Sequence, residues 1–573
     1  MIIPVERFLS RRLWLGQLLH DHECEPRLDD ALQAILGRST SERREVRSVL
    51  EEGIRPIDTD QIEGLLRRAG FQRELKTFQR RDLAHILAIS HGANFSVPGA
   101  GKTTVAYALY AAERARGKVE RLLVVAPLSA FGTWFTEAIA CLEHAPIVAR
   151  LERTVPKCEV LLTNYQRLAS RYEDIAAWVM ERPCHVILDE AHRMKRGRQG
   201  EWGSACLDLS HLAIRRDILT GTPAPQHPTD FIALLDFLWP HQATQILPRA
   251  VQRTDPPPEM MTEISQRLHP LFARTRKDEL GLDPPTLRVE LVEMKPLQAE
   301  IYSTLRLRMR KATAASHDHA TLARMGRVVA YLLEAATNPA LLASALGSSA
   351  AAHVAWPPRP LARGSSLAEK VINYGSHEVP RKFEKLATMV AANAAAGRKT
   401  LVWSNFVGNL KELSGRILMP YQPALIYGAV PSGDEDADYV TRERELRRFR
   451  SDPNCQVLLA NPAAMSEGVS LHEECHDAIY VERTFNAGQY LQSIDRIHRL
   501  GLKAGIETRI TFLVSVGTVD EVVDSRVRVK AERLAAMLSD PNLVTMALPD
   551  EDSYGDWIDP DDLDGLFAHL SDG

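Results

Sequence analysis

Short apolar, β-rich runs, each followed by a helical stretch, occur in two separate blocks of this chain. From about 71 to 240 they read "RLLVVAP", "EVLLTNY", "HVILDEAH" and "DILTGTP"; from 376 to 540 they read "TLVWSN", "ALIYGA", "QVLLAN", "DAIYVE" and "RITFLV". Strands separated by helices join side by side as a parallel sheet with helices on both faces, because every parallel crossover needs a dozen or more residues. The pattern predicts an α/β chain with two parallel-sheet domains, 71–240 and 376–540. At 573 residues the chain exceeds one core, and about three or four domains are expected.

The intervening stretch, 241–375, loses the strands. It is punctuated by proline, holds basic helical runs such as "LRLRMRK", and contains "ALGSSAAAHVAWPPRPLARGSS". It reads as a helical insertion and connector. Residues 1–70, with "LDDALQAILGR" and "TDQIEGLLRRAG", predict short amphipathic helices, a small helical N-terminal accessory region. Residues 541–573 form an acidic tail, with nine Asp/Glu and no Lys or Arg from Pro549 onward. Such an end is expected to be solvated or loosely packed.

A net charge of -4 carries no global basic signature, so any nucleic-acid surface must be a local patch. The most concentrated one is "RMKRGRQG", 193–200. Seven cysteines without a CxxC pair predict reduced thiols in a reducing compartment. "HEECH", with His472, Cys475 and His476, lacks a second ligand pair at finger spacing and reads as a polar loop. No run approaches the roughly 20 apolar residues of a membrane span, and arginines interrupt the apolar N-terminus. A soluble, cytoplasmic protein with no membrane partner is expected.

"FSVPGAGKTTVA", 95–106, carries the chemistry. Gly99 and Gly101 permit the tight backbone that turns N–H groups of a loop such as 99–101, Ala100 included, toward phosphate oxygens. Lys102 would reach the β/γ-phosphates of ATP, Thr103 would hold Mg²⁺, and Thr104 is expected to join the ATP site from the helix whose positive end faces the anion. Ser96 replaces the opening glycine. In "HVILDEAH", Asp189 and Glu190 end an apolar strand, where a parallel sheet delivers side chains to its ligand edge. Asp189 suits Mg²⁺, Glu190 the attacking water, and His192 a bridge to the nucleic-acid side.

Taken together these segments resemble superfamily-two helicases, and more closely the Swi/Snf-type DNA translocases. "LKTFQRRDLAHIL" is similar to that family's segment upstream of the loop, with Gln79 in the adenine-reading position. "LLVVAPLSAFGTWFTEA" resembles motif Ia with Trp134, "LLTNYQRL" motif Ib, "ILDEAHRMK" motif II (a DEAH box), and "LTGTPAPQHPTDFIALLDFL" motif III, with Thr220, Gly221 and Thr222. "TLVWSNF" resembles motif IV, "VLLANPAAMSEGVSLH" motif V with Gly468, and "QSIDRIHRLG" motif VI with Gln492, Arg496 and Arg499. The resemblance covers about residues 75–535. It departs at "SVP" before the glycines, at "MSEG" in motif V and at "FNA", 485–487.

The resemblance implies two RecA-like domains that bind ATP and Mg²⁺ between them, with Arg496 and Arg499 completing the site from the second. It implies a DNA-stimulated ATPase that translocates on duplex DNA without obligatory strand separation. A strand-separating DNA or RNA helicase is the alternative, and a nucleotide-gated DNA-binding assembly module is the alternative of another class. Contacts to the track are expected from Thr163 and Tyr165, from Arg193, Lys195 and Arg196, and from Ser404, Asn405 and Ser470. The compact motor and the alanine and arginine richness suggest a prokaryotic, nucleoid-associated protein.

Overall fold

The computed structural model describes residues 21, 30–221, 223–224, 228–248, 251, 258–313, 320–345, 366–431, 439–465, 469–483, 493–494, 496–499, 502–503, 505–538 and 569–570. It divides into two units, Met1–Arg276 with Ala536–Ser539, and Lys277–Ala535 with Asp540–Gly573.

The first unit opens with helices α1 (Asp30–Glu52), α2 (Thr59–Arg68) and α3 (Thr77–Ile86). Then follow β1 (Gly92–Asn94), α4 (Lys102–Ala115), β2 (Arg121–Val125), α5 (Phe131–Cys141), β3 (Val148–Arg150), β4 (Val160–Thr163), α6 (Tyr165–Ser170), β5 (Cys184–Asp189), β6 (Arg215–Leu219) and β7 (Phe272–Ala273). The seven strands form one sheet in the order β3-β4-β2-β5-β6-β1-β7, parallel throughout. β2, β4, β5 and β6 are buried along almost their whole length, as strands covered on both faces must be. One core face gathers Tyr107, Tyr110, Trp134, Leu122, Val124 and Ile187.

The N-terminal helices differ from their expectation. α1 runs for 23 residues rather than a short span, and α1 and α2 bury Val46, Ile62 and Leu65 in this unit. Polar contacts fix α1 as well. Glu42 lies 2.6 Å from Arg216 and 3.0 Å from His91 Nε2. The backbone N–H of Arg216 donates to His91 Nδ1, which leaves Nε2 as the protonated nitrogen of a neutral ring. Amphipathic spacing revealed the helices; it did not reveal that Glu42 answers buried cations on β6.

The second unit contains β8 (Thr286–Val292), α7 (Pro296–Thr313), α8 (Ala320–Thr337), α9 (Arg381–Ala395), β9 (Lys399–Trp403), β10 (Ala424–Ile426), α10 (Arg442–Ser451), β11 (Val457–Ala460), β12 (Cys475–Tyr480), β13 (Arg509–Ser515) and α11 (Val519–Met537). Its six strands are ordered β10-β11-β9-β12-β13-β8 and are again parallel.

The stretch 241–375 therefore does not lack strands. It supplies β7 to the first sheet and β8 to the second, the latter paired with β13 along all of Thr286–Val292. β7 is too short to show a period, and the charges of Arg288 and Glu290 within β8 disguise an edge strand. Nor is the helical part a separate insertion. Gln298 on α7 donates to the carbonyls of Ala335 and Ala336, Ser515 on β13 donates to Ala336, and Asn338 donates to Asn409. "HEECH" is likewise no simple loop, because Cys475 begins β12 with its thiol donating to the Lys399 carbonyl. Of the acidic tail, only His569 and Leu570 are described. His569 Nε2 lies 2.8 Å from the Tyr302 hydroxyl on α7, and Leu570 is buried.

Two stability predictions follow from buried charges. Lys382 on α9 pairs with Asp520 at 2.5 Å, and both side chains are almost fully buried. Asp520→Ala strands the ammonium and should cost about 3–5 kcal/mol, whereas an apolar pair of similar volume at both positions should cost far less; urea unfolding of the three proteins measures the difference. In the first unit, burial lowers His85 to about 4, His91 to about 4 and His211 to about 3. The unfolded chain binds protons below about pH 6.5 that the folded one refuses. Stability is thus complete above that pH and falls as pH drops, by up to about 1.4 kcal/mol per unit per histidine. For Glu42, burial alone would raise the carboxyl, but Arg216 and His91 outweigh it and hold it at about 2, so its contribution is lost at still lower pH. Denaturant midpoints between pH 7 and 5 test this, and His211→Gln should make the slope shallower.

Candidate functional site

The phosphate loop runs from β1 into α4. Gly99 and Gly101 have φ of 85° and 79°, where an L side chain is strained. A Cβ on Gly101 would also lie 2.4 Å from Gln79 Nε2. Gln79 is buried on α3. Its carboxamide accepts from the Lys76 backbone N–H and donates to the Ala100 carbonyl, both at 3.0 Å. The residue placed by resemblance against adenine thus also props the phosphate loop. Lys102 Nζ donates to the Ser96 carbonyl at 3.0 Å, so the cation rests across the loop it would leave for a phosphate. Thr103 is half-buried in the first turn of α4. Thr104 faces elsewhere: its hydroxyl donates to Glu137 on α5 at 2.7 Å, and Glu137 in turn pairs with Arg73. Its assignment to ATP binding is corrected to a packing role between α4 and α5.

At the end of β5, Asp189 is held from three sides. Trp134 Nε1 donates to Oδ2 at 2.9 Å, the Glu190 backbone N–H donates to Oδ1 at 3.0 Å, and the Tyr165 hydroxyl donates to the Asp189 carbonyl at 2.8 Å. Trp134 is itself fully buried, and its carbonyl accepts from the Tyr107 hydroxyl on α4. Glu190 adopts φ 50° and ψ 51°, a left-handed conformation that a non-glycine residue holds only where its surroundings enforce it. His192 Nδ1 lies 3.2 Å from Thr220 Oγ1 and 3.5 Å from Glu190 Oε2. Burial, then the cations Arg193, Lys195 and Lys102, pushes its pKa well below the usual value, so the ring is neutral. A Cβ on Gly221 would meet Pro98 at 2.9 Å, which presses that turn against the phosphate loop. The first unit therefore brings together Gln79, 99–103, Asp189, Glu190, His192, Thr220 and Gly221. Thr222 lies outside the described residues.

The oxygen set offered by Thr103 and Asp189, a hydroxyl and a carboxylate, is that of a hard divalent cation such as Mg²⁺. Trp134 and Tyr165 hold the carboxylate and its backbone in place as outer partners of such a site.

Several expected track contacts turn out to be structural. Thr163 ends β4 and is buried; Tyr165 is buried and committed to Asp189. In the second unit, Ser404 is fully buried and donates to Glu482 Oε1 at 2.6 Å. The Asn405 backbone N–H donates to the same oxygen. Asn461 closes the turn by donating to the carbonyls of Ser404 and Asn405. Burial pushes the Glu482 carboxyl up to about 7. Ser404 is thus a structural member of this loop, and Asn405 keeps only a half-buried side chain. Arg193 and Lys195 are half-buried and Arg196 is exposed, which leaves them at the surface; Arg198 pairs with Asp208. The Ser470 hydroxyl lies 2.7 Å from His472 Nδ1, and its carbonyl accepts from Arg450.

Arg496 is not a solvated base. It is buried, its Nη1 donates to the Val469 carbonyl at 3.1 Å, and its own carbonyl accepts from Leu471 N–H. Motif VI is thereby seated on motif V. Arg499 is half-buried and near enough to help lower His472. Gly468 and Gln492 lie outside the described residues. Trp134 and Glu482 were not among the site residues read from sequence; only the motif Ia resemblance marked the tryptophan, and nothing in the local sequence marked the glutamate.

Comparison with known proteins adds the following. Residues 97–339 match the SNF2-related domain and residues 381–501 match the helicase conserved C-terminal domain. The chain is 21% identical over 485 residues to the TATA-binding protein-associated factor MOT1 of Saccharomyces cerevisiae, across 77% of this chain and 25% of that protein. It is 23% identical over 471 residues to the transcription regulatory protein SNF2 of the same yeast, across 75% and 25%. The chain spans about a quarter of the length of these curated relatives, and as yeast proteins they lend the expected prokaryotic source no support. Among solved structures, the Sulfolobus solfataricus SWI2/SNF2 ATPase core in complex with dsDNA is 17% identical with a TM-score of 0.35, across 83% of this chain and 95% of that one.

Trp134→Phe removes the donor to Asp189 and puts a smaller ring in a fully buried site. Loss of an outer partner of this kind lowers metal affinity or activity by about 10–100-fold. The Mg²⁺ concentration giving half-maximal nucleotide hydrolysis should rise, and the smaller ring should also lower the melting temperature; an unchanged Mg²⁺ curve would remove Trp134 from the site.

Proposed function

We infer, from an SNF2-related domain followed by a helicase conserved C-terminal domain, that this chain is an SNF2-family ATPase that moves along double-stranded DNA. The observation that carries the reading is the meeting, in one unit, of a resting lysine, a strained acid at a strand end and the His192–Thr220 contact. ATP enters as substrate at the loop 99–103. Lys102 exchanges the Ser96 carbonyl for phosphate oxygens, and backbone N–H groups of the loop add to the grip. Glu190, held off the strand by its left-handed backbone, orients the attacking water and accepts its proton. Thr103 and Asp189 would hold Mg²⁺, which when bound neutralises phosphate charge. Arg496 and Arg499 are the cations suited to the charge that spreads over the γ-phosphoryl oxygens.

His192 is neutral and able to share a proton with Thr220, so it supports a relay between the nucleotide and the loops beyond β6. The track is gripped without reading bases, through phosphates, with Arg193, Lys195, Arg196, Asn405 and Ser470 as the remaining candidates. The tetrad 189–192 supports the finer reading as a DEAH box. The described cysteines, all buried free thiols, support work in a reducing compartment such as the cytoplasm.

The test measures ATP hydrolysis with duplex DNA, single strands and RNA, beside a strand-displacement assay. Duplex DNA should stimulate most, with no displacement. Lys102→Ala and Glu190→Gln should each lose at least about 100-fold in stimulated rate, of the order set by removing a catalytic group, and Glu190→Gln should still bind ATP. Stimulation by RNA alone, or displacement of a strand, would replace the translocase with a helicase. Hydrolysis unmoved by any nucleic acid would reject both.

A further inference from the structure

Ser96 stands where a glycine opens the usual loop, and its side chain is fully committed. The hydroxyl donates to Asp82 Oδ2 at 2.8 Å and accepts from the Thr275 backbone N–H at 2.8 Å. Thr275 Oγ1 donates to the same Asp82 oxygen at 2.6 Å. Arg81 closes the other side, with Nε and Nη2 donating to Asp82 Oδ1 and Nη2 reaching the Arg274 carbonyl. Asp82, Ser96 and Thr275 are exposed by 2%, 1% and 0%. The backbones run together as well: Phe95 N–H donates to the Ala273 carbonyl, and Val97 N–H to that of Thr275.

Three parts of the chain meet here. Asp82 lies one turn beyond Gln79 on α3. Ser96 opens the phosphate loop and offers its carbonyl to Lys102. Thr275 is the penultimate residue of the first unit's long segment, and the chain continues through Arg276 into Lys277 and the second. A glycine at 96 would have served the phosphate loop alone; it could not have bridged Asp82 to the Thr275 amide.

Resting on the ATPase reading above, we propose that Asp82, Ser96 and Thr275 form a latch that passes the state of the phosphate loop to the segment leading out of the first unit. They are positioning residues and touch no substrate. When Lys102 leaves the Ser96 carbonyl for a phosphate, the peptide at 96 loses its cation, and the hydroxyl of the same residue carries the change to Thr275. In a chain whose two units must respond to one nucleotide, this gives the covalent connection a mechanical input.

The experiment uses the full chain, with hydrogen–deuterium exchange over a peptide spanning 272–280, with and without a non-hydrolysable ATP analogue and Mg²⁺. A fluorescent ATP analogue reports binding, and ATP hydrolysis is measured with and without duplex DNA. In the parent, nucleotide should change exchange in that peptide. Thr275→Val should bind nucleotide and keep basal hydrolysis, yet lose the exchange response and lower the stimulated-to-basal ratio roughly tenfold, the scale of a buried hydrogen bond to a carboxylate. Thr275→Ser should restore both. If Thr275→Val fails to fold, Ser96→Gly removes the other arm of the latch, the hydroxyl between Asp82 and the Thr275 amide, and should show the same lost exchange response. A parent that binds nucleotide with exchange unmoved overturns the latch and leaves the nucleotide site standing. A parent that responds in exchange but ignores DNA keeps the latch and overturns the motor. A parent that binds no nucleotide overturns both.

Discussion

The left-handed backbone at Gly101, pressed against the carboxamide of Gln79, sets the geometry on which the first unit's chemistry depends. With φ at 79°, the peptide ending the loop turns sharply into α4, and Lys102 becomes the helix's first residue. Gln79 then binds the Ala100 carbonyl, so the loop is shaped from α3 as well as from its own glycines. Moving the loop would disturb the resting place of Lys102 on Ser96, the packing of Pro98 on Gly221, and the Ser96 bridge to Asp82. A loop with so many attachments is preorganised, which is how fixed donors can stabilise charge without reorganising at the moment of reaction.

The second unit solves a related problem with a buried acid. Glu482 follows β12 and gathers Ser404, Asn405 and Phe406 onto one oxygen, while Asn461 ties the same turn to the end of β11. Burial raises its carboxyl toward neutrality despite these donors, which shows how far the turn lies from water. The result is a rigid strand-end loop whose backbone is fixed by internal bonds. Ser404, which resemblance placed at a polymer surface, is one of the fixing groups. Polar residues at the ends of parallel strands have two plausible destinies, ligand or loop support, and only the position of Glu482 decides between them.

Sequence legibility followed the same division. Alternation of apolar runs with helices exposed both parallel sheets, because strands buried on two faces leave continuous apolar segments. Gly99, Gly101, Lys102, Asp189 and Glu190 were legible because each needs a particular residue type at a fixed spacing. β7, two residues long, was hidden by its length, and β8 by charges that an edge strand tolerates. The docking of α1 rested on Glu42 meeting Arg216 and His91, residues distant in the chain that no local pattern pairs with it. The parts that Trp134 and Tyr165 play beside Asp189 escaped for a similar reason: the first was marked only within motif Ia and the second was expected on the track, and their donors acquire meaning only beside Asp189.

Ser96 shows why a departure from a motif can carry more information than agreement with it. Glycine at the loop's opening is neutral toward its surroundings, so agreement there would have said only that the backbone is tight. A hydroxyl at the same place must find partners once buried, since an unsatisfied one costs free energy. Its partners, Asp82 and the Thr275 amide, lie 14 and 179 residues away. The substitution therefore reports an arrangement in which the phosphate loop and the segment leading out of the first unit are held as one piece. Lys102 on the carbonyl and Thr275 on the hydroxyl give this single residue both ends of the connection, and the backbone bonds at Phe95 and Val97 keep the two segments from sliding past each other.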